Sequence, residues 1–199
     1  SFFRISLILL VALFQYRCAQ ESAPQGGKKD IEPPKIRSID PPNKNTGKPI
    51  QEVTIQFDEF IQDNGFAQVL ISPPISKPPQ VRVSGKKLTL KLTPPLQPNT
   101  TYTVNFGSEI KDLNESNPLE NFTYVFSTGQ FIDSAAISGV VKPAIQDLDL
   151  SGMMAVLLKD SEGVSITNTK PTYFAKLNSA GAFTINNIRP GRYNIFVLK

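Results

Sequence analysis

Histidine and tryptophan are absent from these 199 residues, and cysteine occurs once. Without histidine there is no Ser–His–Asp triad, no Cys–His dyad and no imidazole-ligated metal site. A single cysteine allows no disulfide within the chain, so an exported domain built from it must rest on its apolar core. The missing Trp and second Cys also exclude the Cys…Trp…Cys core of antibody-type sandwiches. Strong charge of either sign is lacking too: 21 Lys and Arg against 17 Asp and Glu leave +4. The basic pairs Lys28-Lys29 and Lys86-Lys87 are too small for a nucleic-acid footprint, and no nucleic-acid partner is expected.

Proline, in contrast, is plentiful, with 17 residues. Helix interiors reject proline, while turns and edge strands accept it, so β structure is the default. The apolar fraction of 40% is enough for buried cores.

Near the start, Arg4 precedes an apolar run from Ile5 to Phe14. That is the length of a signal-peptide core and too short for a span, which needs about 20 apolar residues. The lone cysteine, Cys18, follows shortly after. Its place predicts lipidation, with residues 1–17 as a lipoprotein signal peptide and 18–32 as a flexible tether. The stretch after it, AQESAPQGGKKD, is polar and rich in Gly and Pro, as a tether should be. Gln15-Tyr16-Arg17 depart from the usual pattern of a Leu three before the Cys and small residues beside it. An uncleaved anchor, or cleavage elsewhere, is the alternative. The two or three acyl chains of a bacterial lipoprotein hold stably where one holds only marginally. The expected address is the outer membrane, through a lipid anchor at Cys18, on a face the sequence leaves open.

Beyond the tether the hydrophobic pattern has period two. Val53, Ile55 and Phe57 alternate with Thr54 and Gln56. Two alternating runs, 81–84 and 86–92, flank a Ser84-Gly85 turn and predict a hairpin. Further strands are expected at 35–39, 69–71, 101–106 and 122–127. Seven short strands in about 95 residues fit an antiparallel Ig-like sandwich, here placed at 33–130. A second block, 131–199, predicts strands at 137–142, 153–159, 172–177, 182–186 and 193–198. The chain stops straight after the apolar strand Asn194–Leu198, so this block is expected to be incomplete at its C-terminus. The fold class is therefore all-β: two tandem antiparallel β-sandwiches after a signal peptide and tether.

Four stretches carry a family resemblance: Thr54–Glu59 (TIQFDE), Leu70–Pro74 (LISPP), Leu96–Gly107 (LQPNTTYTVNFG) and Asn117–Gly129 (NPLENFTYVFSTG). Together they resemble the bacterial Ig-like domain first named from an S-layer protein, and the Bacteroidetes lipoproteins that carry it after a lipidated Cys. In Gly181–Ile195 (GAFTINNIRPGRYNI) the second block resembles a carboxypeptidase-regulatory-like, transthyretin-type sandwich. There Phe183 and Ile185 are expected to point inward, Pro190-Gly191 to turn, and Tyr193 and Ile195 to return to the core. The resemblance implies stalks and accessory modules without peptidase chemistry.

Candidate chemistry is sparse. Asp58-Glu59 is a carboxylate pair, but neighbouring strand residues face opposite ways and do not converge on one substrate. Retaining glycosidases need their carboxyls within roughly 5–5.5 Å. Asp112, Asn114, Glu115 and Asn117 offer hard oxygen ligands and form a calcium candidate, against the reading of a hydrogen-bonded turn. Asp133-Ser134-Ala135 resembles the Bacteroidetes O-glycosylation acceptor and makes Ser134 the candidate. Asn99-Thr100-Thr101 and Asn121-Phe122-Thr123 are formal N-glycosylation sequons, idle in a bacterium. Exposed sandwich edges can accept a partner strand, but the prolines at 73, 74, 78, 79, 94 and 95 favour blocked edges. No catalytic residue and no cofactor are expected. The function expected is a non-catalytic envelope lipoprotein, a scaffold or protein-binding module, with a protein partner in the outer membrane. The alternative is a stalk presenting an enzymatic or glycan-binding domain beyond residue 199.

Overall fold

The computed structural model describes residues 27–143, 149–150, 152–160, 167 and 169–199. Cys18 lies outside them. The described residues form twelve strands and no helix. Residues 27–33 are exposed chain leading to the first strand.

The first sandwich uses β1 (Ile36–Asp40), β2 (Glu52–Phe57), β3 (Leu70–Ser72), β4 (Gln80–Ser84), β5 (Lys87–Lys91), β6 (Thr101–Asn105) and β7 (Thr123–Ser127). One sheet runs β1-β2-β5-β4 and the other β3-β6-β7, with every pairing within them antiparallel. Lettered A to G, this is the ABED and CFG division of a constant-type Ig sandwich. The alternation seen in the sequence sets the faces: Val53, Ile55, Phe57, Leu88 and Leu90 are each no more than 1% exposed. The place of a cystine and a Trp is taken by aromatics. Tyr102 and Phe126 stack at 5.3 Å, and Tyr124 tilts against Phe126 at 6.0 Å. The Tyr102 hydroxyl accepts the Gln97 N–H at 2.8 Å, five residues upstream. This is the tyrosine corner, and Val104, two residues on and fully buried, stands where antibody-type domains place the second cysteine.

Two local features depart from the simple alternation. The β4–β5 hairpin turns on Gly85-Lys86, one residue later than the Ser84-Gly85 turn expected, because Ser84 pairs with Lys87. Gly85 takes φ +63°, as the first central position of a type II′ turn requires. After β1, Pro41-Pro42 lack ladder donors, and the chain crosses to the other sheet. There Asn45 pairs in parallel with Phe126 of β7, and the Tyr124 hydroxyl donates to the Pro41 carbonyl at 3.1 Å.

The second sandwich uses β8 (Ala135–Val140), β9 (Met154–Lys159), β10 (Tyr173–Lys176), β11 (Ala182–Ile188) and β12 (Tyr193–Leu198). Its sheets are β10-β9-β12 and β11-β8. Phe183 and Ile185 point inward as expected, and join Leu157, Tyr173, Leu177 and Ile188 in a small core. Ile195 does not return to that core: it is 49% exposed. The reason is its strand. β12 is an edge hydrogen-bonded to β9 alone, and Ile195, Phe196, Val197 and Leu198 are all exposed.

Candidate functional site

β11 contains a bulge. Ile185 pairs with Ile137 and Ile188 with Ala135, so three steps on β11 match two on β8. Asn187, the extra residue, has φ +60°, a conformation asparagine tolerates better than most residues. The bulge brings its side chain to the first sandwich. Its amide NH₂ donates to the Asp133 carbonyl at 3.1 Å, and its Oδ1 accepts from the Thr103 hydroxyl at 3.4 Å. The Asp133 N–H in turn donates to the Thr101 hydroxyl at 2.9 Å. Ser72 donates to the Thr172 carbonyl at 3.1 Å, and Lys176 bonds Gln68. Ser72 and Thr101 are buried polar residues, and these bonds satisfy them.

Inside this seam lies a cleft of about 380 Å³. Its first wall is the outer face of β3-β6-β7. Leu70 pairs with Asn105 and Asn105 with Thr123, while Ser72 pairs with Thr103, so these five residues share one face. Its second wall comes from β10 and β11, with Phe174, Thr184 and Asn186 among its residues. Six of the eighteen lining residues are Asn or Gln and four are Ser or Thr, and Lys176 is the one ionisable side chain among them.

The residues singled out in the sequence lie elsewhere. Asp112 is 1% exposed and turns its carboxylate to its own loop. It accepts the N–H groups of Glu115 at 2.7 Å, Ser116 at 3.0 Å and Asn117 at 2.8 Å. Burial pushes this carboxyl up, but the amides of Glu115, Asn117 and Ser116 outweigh it and hold its pKa below the usual aspartate value. Asn114 is exposed on the same loop. Among the described residues no cluster of three or more His, Cys, Asp or Glu stands ready for a metal. The loop's arrangement is that of a turn organised around one carboxylate. Asp58 accepts the Lys35 N–H at 2.8 Å, which lowers its pKa, and faces Arg37 at 3.9 Å. Ser134 is exposed in the linker between β7 and β8. The sequon residues Asn99 and Asn121 are also exposed, at φ +50° and +58°.

Sequence reasoning missed the cleft, because it is assembled from two domains. One signal pointed to it. Asn186-Asn187 interrupts the apolar alternation of β11, where a strand continuing to the core would place another inward residue.

Fold and seam define an all-β protein of two β-sandwiches in tandem, tied side to side by polar contacts. Residues 30–128 match the family model of the bacterial Ig-like domain. Residues 148–199 match that of domain II of polysaccharide lyase family 4, a fibronectin-type-III-like domain. The chain thus carries a bacterial Ig-like domain followed by a fibronectin-type-III-like domain. No curated protein matches it. Among solved structures, an L,D-transpeptidase from Mycobacterium smegmatis covers 84% of this chain and 77% of its own at 11% identity. Its TM-score of 0.33 is too low to carry an activity across.

Proposed function

We propose that this protein is a non-catalytic envelope lipoprotein, a rigid scaffold held to the outer membrane through Cys18 and serving as an accessory subunit of a membrane complex. The observation that carries this reading is the seam at Asn187. It joins the second sandwich to both the linker and the first, at Asp133 and Thr103, which supports reading the pair as one spacer rather than as beads on a string. A rigid spacer on a polar tether is what an accessory subunit needs to hold a surface at a set distance from a bilayer. The Bacteroidetes lipoproteins that the first domain resembles, and the carboxypeptidase-regulatory-like modules that the second resembles, would serve in the same way. The exposed Ser134 fits an O-glycosylation acceptor, since a glycosyltransferase needs reach to the hydroxyl.

The test is a pull-down of the tagged protein from gently solubilised outer membranes, beside a Cys18→Ala control. A stoichiometric membrane partner that disappears in the control is the expected result. A control protein that stays in the membrane, with no partner in either sample, would remove both the anchor and the complex and leave the role of a stalk for another domain.

A further inference from the structure

The cleft between the two sandwiches is unlike the rest of the surface. Asn and Gln make up six of its eighteen lining residues but 24 of the 199 in the chain. Ordinary solvated surface carries about 25–35% charged residues, yet here Lys176 stands alone and is bonded to Gln68. Several of the polar groups are unspent. Among the described residues, the Asn186 side chain and the Thr123 hydroxyl make no hydrogen bond, and Asn105 uses only its Oδ1, accepting the Gly107 N–H at 2.8 Å. The cavity of about 380 Å³ lies within the range of roughly 300–1,000 Å³ common to small-ligand sites.

The lining selects a ligand class. A polyanion would find one lysine already engaged and no other positive charge. An apolar molecule would strand the amides and hydroxyls, at a cost on the order of 1–3 kcal/mol for each group left unbonded. A peptide strand adds at a sheet edge. The first wall is a sheet face whose backbone groups are spent within the β3-β6-β7 ladders. The second, though its strands β10 and β11 are sheet edges, presents the side chains of Phe174, Thr184 and Asn186 to the cleft. A neutral polyhydroxylated molecule meets none of these objections. Amides offer a donor and an acceptor side by side, matching neighbouring sugar hydroxyls. Leu70 and the half-buried Phe174 supply apolar surface for the face of a pyranose ring. The seam holds both walls in place before anything binds, which lowers the ordering cost.

We infer that this interdomain cleft is a binding site for a neutral oligosaccharide, contacted by Asn105 and Thr123 of the first sandwich and by Asn186 and Phe174 of the second. The inference goes beyond the anchoring role and stands or falls apart from it.

The purified full chain is titrated calorimetrically with maltohexaose, cellohexaose, xylohexaose and mannohexaose, and with hexagalacturonate as the charged comparison. At least one neutral hexasaccharide is expected to bind with a Kd of about 1 mM or tighter. Asn186→Ala and Thr123→Val are each expected to weaken it about fivefold or more. Both side chains lack structural partners, so unchanged thermal unfolding shows that the variants are folded. Absence of binding by all four neutral sugars, equal binding by hexagalacturonate, or full affinity in both variants would each overturn the proposal.

Discussion

The first sandwich gathers seventeen buried apolar residues into its core, and the second, among the described residues, gathers seven. The difference extends to their edges. In the first, Pro73-Pro74 end the edge strand β3 and Pro78-Pro79 precede the edge strand β4, so these two of its four edges are bounded by proline. In the second, the edge strand β12 contains no proline and exposes four consecutive apolar residues. Two sandwiches of one architecture thus divide the work. The first is an anchorage stabilised from within, and the second leans on what it touches, including the Asp133 and Thr103 contacts of Asn187.

The sharpest way to break this contrast is to open the larger core. Phe126 is fully buried, stacked on Tyr102 and tilted against Tyr124. Phe126→Ala is expected to cost about 3–5 kcal/mol from lost transfer energy and the cavity left behind. Phe183 sits at the rim of the smaller core, 9% exposed, where neighbours relax more easily, and Phe183→Ala is expected to fall at the low end of that range or below it. Urea unfolding of both variants decides the matter. A larger loss for Phe183→Ala would mean that the second core, not the first, sets the stability of the pair.

Next in size is the Asp112 loop, whose counterpart in the second sandwich is uncharged: there the Asn178 amide oxygen accepts the N–H groups of Ala180 and Ala182. Asp112→Ala strands three amides that now share one carboxylate, at an expected cost of about 1.5–3 kcal/mol. The folded pKa lies below the unfolded one, so this stabilisation is complete above the unfolded pKa and fades as pH falls through the folded value. The wild type should therefore lose stability below about pH 4, and the variant should lose less over the same window. Equal acid sensitivity in the two, measured by thermal unfolding, would remove Asp112 from that role. Stabilisation of the wild type by added calcium, absent in the alanine variant, would support the ion-binding reading of this loop.

Both sandwiches use a tyrosine to fix the entry of a strand. Tyr102 accepts the Gln97 N–H, and Tyr193 donates to the Arg189 carbonyl at 2.8 Å. Burial, then the neighbouring Tyr173, push the Tyr193 pKa up to about 12. A raised tyrosine pKa gives stability that is whole below the unfolded value of about 10 and is lost as pH rises towards 12. Tyr193→Phe is expected to cost about 1 kcal/mol at neutral pH and to flatten the alkaline loss of the second sandwich. The first would keep its own alkaline loss, because burial raises Tyr124 to about 12 as well. Unchanged alkaline behaviour of the variant would show that Tyr193 adds nothing to that loss.

Much of the fold was legible because the core writes itself as alternation. Val53, Ile55 and Phe57 fix β2 and its face, and Tyr102 and Val104 do the same for β6. The hairpin slipped by one residue because Ser84 and Gly85 are both good turn residues, and the choice between them rests on which one takes a positive φ. The cleft was not legible. Thr103, Asn105 and Thr123 read as the solvent face of an antiparallel sheet, and the sequence does not say that another domain stands opposite that face. Asn187 is the one residue whose oddity was visible locally, as a polar break in an apolar strand.

Ile195 marks the limit of alternation as a guide. It lies two residues from Tyr193, as an inward partner should, and yet it is half exposed. Period two assigns a residue to a face, but whether that face is covered depends on the opposite layer. The sheet β11-β8 lies against the Ala155–Leu157 part of β9 and leaves β12 at the margin. Ile195→Thr should therefore change stability by no more than about 0.5 kcal/mol, the range for surface substitutions, and threonine suits a strand. Leu157→Ala, one strand inward and paired with Ile195, should cost about 2–5 kcal/mol. A large loss for Ile195→Thr would mean that β12 is covered in solution, by a second copy or by another chain. The mass of the native species would then separate those two cases, because a second copy gives twice the mass of one chain and a different chain does not.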